Sequence, residues 1–313
     1  MRHFFEFLRK RDGQRTSSTS AALEADWENI AMDVEFQSLL PPKRVGSPEN
    51  CDEPGDLMRI PVEELRVEPA TRIVFYGDPG SIAADRFRFL RMRLREMKRE
   101  SELRTLLVTS PLPNDGKSTI AVNLATALAE RGRCKVLLIE GDLHQASLTT
   151  RLSLKPHPGL ADCLENGLDP MVAIRRLEPL GWYAMAAGRK LRNPTELLQT
   201  EALSGVMQRL HPYFDWILID SPPVLPLTDA LLLKQHADAS LMIARAGRTP
   251  SEAVEEAITL LGRKHVLGIV LNCAERLGRL YGGDYYNRYY SQIRHTEWTG
   301  GEKAEAQGAS QVG

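Results

Sequence analysis

Cysteine, net charge and long apolar runs are all scarce in this 313-residue chain. Cysteine occurs four times, at Cys51, Cys134, Cys163 and Cys273. No pair has metal-site spacing, and four scattered thiols suit a reducing compartment rather than a disulfide framework. Forty basic side chains against 41 acidic ones leave a net charge of −1. Such a chain offers no global field for nucleic acid or a membrane, and no nucleic-acid partner is expected. No run of about eighteen apolar residues occurs, which excludes a membrane-spanning helix. Phe4-Phe5-Glu6-Phe7-Leu8 is too short and too charged for a secretory signal. The expectation is a cytoplasmic protein that reaches a membrane only through a partner. The short glycine fingerprint of dinucleotide-binding oxidoreductases is also missing.

What remains is ordinary globular material, 42% apolar, long enough for one substantial core with tails outside it. Residues 1–70 read as a largely flexible extension with short helices, because Pro41, Pro42, Pro48 and Pro54 oppose regular structure and 12–20 is a polar linker. Phe4, Phe5, Phe7 and Leu8 lie on a short amphipathic stretch suited to packing on the domain or docking a partner. Residues 71–280 read as the main domain. Within it, Phe87, Leu90, Leu94 and Met97 recur at helical spacing after the Gly77-Asp78-Pro79-Gly80 turn. Asp85, Arg88 and Arg91 follow every third residue on a neighbouring face, ordinarily a solvated one. Apolar strands are expected at 105–109, 135–140, 182–186, 216–220, 240–244 and 266–271. Helices are expected at 119–130 and 195–210, with further helical patterns around Ala230 and Ala257. The alternation predicts an α/β fold, a mainly parallel central sheet with helices on both faces, and sites at the strand C-termini. Residues 281–313 hold a tyrosine cluster and a tail without apolar anchors, expected to be disordered.

Between the first strand and helix lies Ser110-Pro111-Leu112-Pro113-Asn114-Asp115-Gly116-Lys117-Ser118-Thr119. Its second half is the end of a phosphate-binding loop: residues 113–119 can surround the phosphates, the N–H groups after Pro113 receiving their oxygens, while Lys117 can reach the outer phosphates and Ser118 can hold magnesium. Pro111 stands where the simplest motif has Gly, and Asn114 is a residue that tolerates positive φ. Glu140, Asp142 and Asp220 follow apolar strands, and three strand-terminal acids after a phosphate loop point to ATP and Mg²⁺. Five of the eight tyrosines, Tyr281, Tyr285, Tyr286, Tyr289 and Tyr290, lie together far downstream. Tyrosine clusters also build interfaces, so an aromatic docking strip stays open.

Together these segments resemble the bacterial tyrosine autokinases of capsule and exopolysaccharide synthesis, P-loop NTPases of the deviant Walker class that includes MinD and ParA. Residues 110–119 match the first Walker motif, Ile139-Glu140-Gly141-Asp142-Leu143 the family's extra acidic motif, and Ile219-Asp220-Ser221-Pro222-Pro223 the second Walker motif. Pro194-Thr195-Glu196-Leu197-Leu198, Thr228-Asp229-Ala230 and Gly268-Ile269-Val270-Leu271-Asn272 are similar to further landmarks. The likeness runs from about 81 to 290.

The resemblance implies roles. Lys117 binds and polarises the phosphates, Ser118 and Asp220 organise magnesium, Glu140 assists the metal, and Asp142 lies near the attacking tyrosine oxygen. Asp85, Arg88 and Arg91 match the helix used for subunit association, implying self-association into a ring. The five tyrosines match a tail phosphorylated by a neighbouring subunit. A membrane-bound chain-length regulator is the implied activating partner, and other tyrosine substrates are compatible with it. Glu140 replaces an expected Asp, moving the carboxylate outward by roughly 1 Å. His144 stands where Arg is usual, and Asn114 where Gly is. A MinD- or ParA-like ATPase is the competing reading, although the early signature lysine is absent from the Pro111-Leu112 region. A nucleotide-dependent scaffold with weak catalysis is the third.

Overall fold

In the computed structural model, the residues described are 34–36 and 55–274. They contain the strands β1 Val34–Phe36, β2 Val62–Glu64, β3 Thr105–Thr109, β4 Val136–Glu140, β5 Ile174–Glu178, β6 Trp182–Met185, β7 Trp216–Asp220, β8 Ala239–Arg245 and β9 Val266–Asn272. The helices are α1 Gly55–Met58, α2 Val74–Gly77, α3 Ile82–Glu100, α4 Lys117–Ala129, α5 Ser147–Arg151, α6 Leu160–Asn166, α7 Pro194–Leu198, α8 Glu201–Leu210, α9 Asp229–Lys234 and α10 Ser251–Leu261.

All the strands join one sheet in the order β1-β9-β8-β3-β7-β4-β6-β5-β2. The stretch from β9 to β6 is parallel throughout. Antiparallel pairs occur where β1 meets β9 and β5 meets β6, while β2 runs parallel to β5. The expected mainly parallel α/β architecture is therefore present. Every residue of β3, β4 and β7 is buried, as expected for strands covered on both faces.

Alternation along each strand builds the two core layers. Leu106, Val108, Val136, Leu138 and Leu218 face α3 and α4. Leu107, Leu137, Ile139, Ile217 and Ile219 face α6, α8, α9 and α10. Each buried aliphatic side chain of this size contributes roughly 1.5–3 kcal/mol. α3 shows the predicted stripe, with Phe87, Leu90, Leu94 and Met97 all buried. Its start is fixed by Ser81, whose Oγ accepts from the Ala84 N–H at 3.2 Å.

The expected helix over 195–210 is two helices. Thr200 takes an extended conformation and its Oγ1 accepts from the Ala202 N–H at 3.3 Å, so α8 starts afresh there. Three strands lie outside the sequence expectation: β1, β2 and β5. Two of them, β1 and β2, fall within 1–70 and pair with the outer parts of the sheet. The tyrosine cluster at 281–290 and the Phe4–Leu8 stretch lie outside the described residues.

The parallel strands bring their C-termini to one end of the sheet. Register sets two carboxylates side by side there, because Glu140 pairs with Asp220 across β4 and β7. The neighbouring β3 runs directly into the phosphate loop.

Candidate active site

The loop after β3 is held by the ends of other strands. Asn272, closing β9, donates from Nδ2 to the Asp115 carbonyl at 2.9 Å. Thr249 donates to Asp115 Oδ1 at 2.7 Å, and the Leu112 N–H donates to Oδ2 at 3.2 Å. Thr109 Oγ1 donates to the Pro222 carbonyl at 3.0 Å, tying the start of the loop to the exit of β7. Asp115 thus lies buried as a support of the loop, with only its backbone left for a phosphate. Burial pushes its carboxyl above the usual range, against the hydrogen bonds from Thr249 and Leu112.

Two positions need positive φ, and the sequence supplies suitable residues. Asn114 has φ 64°, as its tolerance of that region predicts. Gly116 caps α4 with φ 97°, and a Cβ there would sit 2.1 Å from Asn272 Nδ2. Gly116→Ala is expected to strain the backbone and push Asn272 off the Asp115 carbonyl. A stability loss of roughly 1–3 kcal/mol should follow, together with loss of nucleotide binding. Thermal unfolding and calorimetric titration with ATP check both.

Asp142 and Lys117 come together at the start of α4. Lys117 Nζ is 3.6 Å from Asp142 Oδ2, with the Asp142 side chain only 4% exposed. The other oxygen, Oδ1, accepts from the Gln145 N–H at 3.0 Å. Ser118 Oγ lies 2.9 Å from Ser147 Oγ, and Thr119 Oγ1 accepts from Arg151. Segment 142–151 therefore touches three consecutive residues of the phosphate loop.

Asp220 is completely buried, and neither carboxylate oxygen has a hydrogen-bond partner. Burial pushes its carboxyl up to about 7; the charges of Glu140 and Asp142 add to the rise, whereas Lys117 and the adjacent Ser118 hydroxyl oppose it. A buried carboxylate without donors costs free energy unless it is protonated or meets a cation. Beside a hydroxyl and a phosphate loop, this orphaned pair of hard oxygens fits magnesium, which takes few protein ligands and completes its shell with phosphate and water.

Glu140, paired in register with Asp220, is held by donors from two segments. Its Oε1 accepts from the Leu148 N–H at 2.6 Å; Oε2 accepts from the Thr149 N–H at 3.1 Å, the Ala187 N–H at 3.3 Å and the Thr149 hydroxyl. Burial raises its carboxyl above the usual range while these donors pull it down.

His144 Nε2 is 3.0 Å from Asp229 Oδ2, and Thr195 donates to Asp229 Oδ1 at 2.6 Å. Three segments singled out in the sequence thus meet at one buried carboxylate. On α3, Arg88 pairs with Asp85 at 2.6 Å, whereas Arg91 turns inward to Glu130 at 3.0 Å and the Ala127 carbonyl at 3.3 Å. Sequence reasoning did not single out Ser147, Thr149, Arg151 or Thr249. The signal available for Ser147 and Thr149 is a hydroxyl-rich stretch soon after the acidic motif, with Arg151 at its end.

The geometry has counterparts among known proteins. No family model matches the chain. The tyrosine-protein kinase CpsD of Streptococcus pneumoniae serotype 4 is 31% identical over 184 residues, covering 58% of this chain and 81% of CpsD. The chain belongs to the bacterial tyrosine-protein kinase family. Another member, the tyrosine-protein kinase ptk of Acinetobacter johnsonii, is 30% identical over 225 residues, 70% of this chain and 31% of ptk. The chain thus spans about a third of the length of that longer relative. Among solved structures, the BceF tyrosine kinase domain aligns with a TM-score of 0.55 and 32% identity, covering 63% of this chain and 79% of that domain. Among the described residues, no helix is long and apolar enough to cross a membrane.

Proposed function

We propose that this chain is an ATP- and magnesium-dependent protein-tyrosine autokinase that modifies Tyr281, Tyr285, Tyr286, Tyr289 and Tyr290 in trans and regulates exopolysaccharide or capsule assembly. The observation that carries the reading is the buried, unpartnered Asp220 carboxylate beside the Lys117–Asp142 pair at the phosphate loop. Loop N–H groups of residues 114–119 bind phosphate oxygens, and Lys117 neutralises the outer ones. Ser118 and Asp220 hold magnesium, which when bound withdraws charge from the phosphates.

Asp142 orients the tyrosine hydroxyl in this reading. Its Oδ2 receives no N–H bond and faces Lys117. As the tyrosine oxygen bonds to the γ-phosphorus, the bond to the β–γ bridging oxygen breaks, ADP leaves and the phenolic proton passes to Asp142. Each phosphate then adds roughly −1.5 to −2 charges to a crowded segment, which repels a packed ring. Asp85 and Arg88, half-buried along the flank of α3, serve self-association in this reading, with Arg91 bracing α3 against α4. Family membership supports a cytoplasmic kinase tethered to the membrane through a polysaccharide co-polymerase.

Intact-mass analysis after incubation with ATP and Mg²⁺ tests the proposal. Several additions of about 80 Da, mapped to the five tyrosines, are the expected result. Phosphate release without them would instead identify a MinD- or ParA-like regulatory ATPase, and binding without either would identify a scaffold.

A further inference from the structure

Glu140 occupies the position where a metal-assisting Asp was expected, yet its geometry serves a different task. A carboxylate offers about four acceptor positions, and four donors converge on this one: the N–H groups of Leu148, Thr149 and Ala187, and the Thr149 hydroxyl. The side chain is fully buried. Its donors come from the start of α5 and from the exit of β6, so a single carboxylate joins two segments that follow different strands.

The same short stretch of chain reaches the phosphate loop three times. Asp142 meets Lys117, Ser147 meets Ser118 and Arg151 meets Thr119. Just before these contacts the backbone makes a tight passage: the Gly141 N–H donates to the Asp220 carbonyl at 2.7 Å, and a Cβ on Gly141 would lie 2.9 Å from Leu233 Cδ1. Glu140 anchors the far side of that passage. An Asp would be one methylene shorter and would withdraw from Leu148 and Thr149. Side-chain length is therefore matched to the reach required.

We infer that Glu140 is a positioning residue, not a magnesium ligand: it clamps α5 and thereby seats Asp142, Ser147 and Arg151 on three successive residues of the phosphate loop. The inference about turnover rests on the kinase reading above; the clamp itself does not.

Full-length Glu140→Gln and Thr149→Val test the clamp without and with nucleotide. Gln must turn its NH₂ toward at least one N–H donor, and Val removes the Thr149 hydroxyl alone. Without nucleotide, amide exchange at Leu148 and Thr149 is expected to accelerate by at least about tenfold in either variant. With ATP, kcat should fall by about tenfold through misplaced Asp142 while KM for ATP changes less. The Mg²⁺ concentration supporting half-maximal ATP binding should stay within about twofold of wild type, in contrast to a shift beyond about tenfold for Asp220→Asn. The double variant should lose little more than the worse single one, because both changes break one network.

A Mg²⁺ shift in Glu140→Gln as large as that of Asp220→Asn, with α5 exchange unchanged, would overturn the inference and restore a metal-ligand role. Should Glu140→Gln fail to fold, normal α5 exchange in Thr149→Val would overturn it equally. If wild type shows no phosphoryl transfer, the kinase reading fails, and the exchange measurement still decides the clamp.

Discussion

Replacing Lys117 with Met is expected to lower tyrosine phosphorylation by at least about 10²–10³-fold while the protein stays folded. A preorganised cation aimed at charge that develops during transfer is worth about this much when removed singly. Met conserves the unbranched stem, so the packing of the short exposed portion changes little. The change has a second effect at Asp142, which loses the ammonium 3.6 Å away and keeps one hydrogen bond, from Gln145. Leaving a buried carboxylate under-compensated costs roughly 1–3 kcal/mol. Quantitative phosphotyrosine mapping with matched thermal unfolding separates the two contributions. Retention of more than about a tenth of the wild-type rate would remove Lys117 from the phosphate-binding role.

Asp220→Asn should make the metal-free protein more stable and the enzyme inactive. In the unfolded chain the Asp220 carboxyl titrates from its ordinary value of 3.8, whereas burial carries it to about 7 in the folded state. Between those values the native state keeps a proton that the unfolded state has released. Stability from this group accordingly falls as pH rises from about 4 to about 7, by up to roughly 1.4 kcal/mol per unit, and stays reduced above that range. Asn removes the ionisation and with it the penalty, so the variant should gain a few kcal/mol at pH 8 and far less at pH 4. Thermal unfolding in EDTA across this range reads the effect directly. In the same variant, ATP binding supported by Mg²⁺ and phosphoryl transfer should fall by at least about 10²-fold. Parallel stability curves for wild type and variant would show that the buried carboxylate carries no such strain. The trade between stability and activity is the expected signature of a site whose charge is complete only with its cation.

Legibility in the sequence followed the range of the interactions involved. β3, β7 and the phosphate loop were readable because their signals are contiguous: apolar runs of three or four residues in five-residue strands, and Gly116-Lys117-Ser118 in the loop. The α3 stripe was readable for the same reason. β5 was missed because Arg175 and Arg176 interrupt its apolar pattern, and β1 and β2 are three residues each. The break at Thr200 left only a capping hydroxyl as its trace, inside an otherwise helical pattern. In the site, Lys117 was read from the loop motif, and Asp142 and Asp220 from the ends of apolar strands. Contacts across long separations were not, such as Thr249 to Asp115 or Arg151 to Thr119, since no local pattern encodes them. The family resemblance brought out Asn272, Thr195 and Asp229 as landmarks, but only packing gives them a task.

The three-residue strand β1 has a consequence beyond its size. It lies antiparallel on β9, with Val34 opposite Val270 and Phe36 opposite Gly268. β9 is seven residues long, buried throughout and without a polar side chain before Asn272. Stripped of its neighbour, it would present an open row of N–H and C=O groups, a template on which a strand from another molecule can add. The segment around 34–36 therefore acts as a selvage that keeps the sheet from being knitted onward. A version of the protein shortened to begin at Gly55 would keep every described group that touches the phosphate loop, and yet be the form most inclined to aggregate.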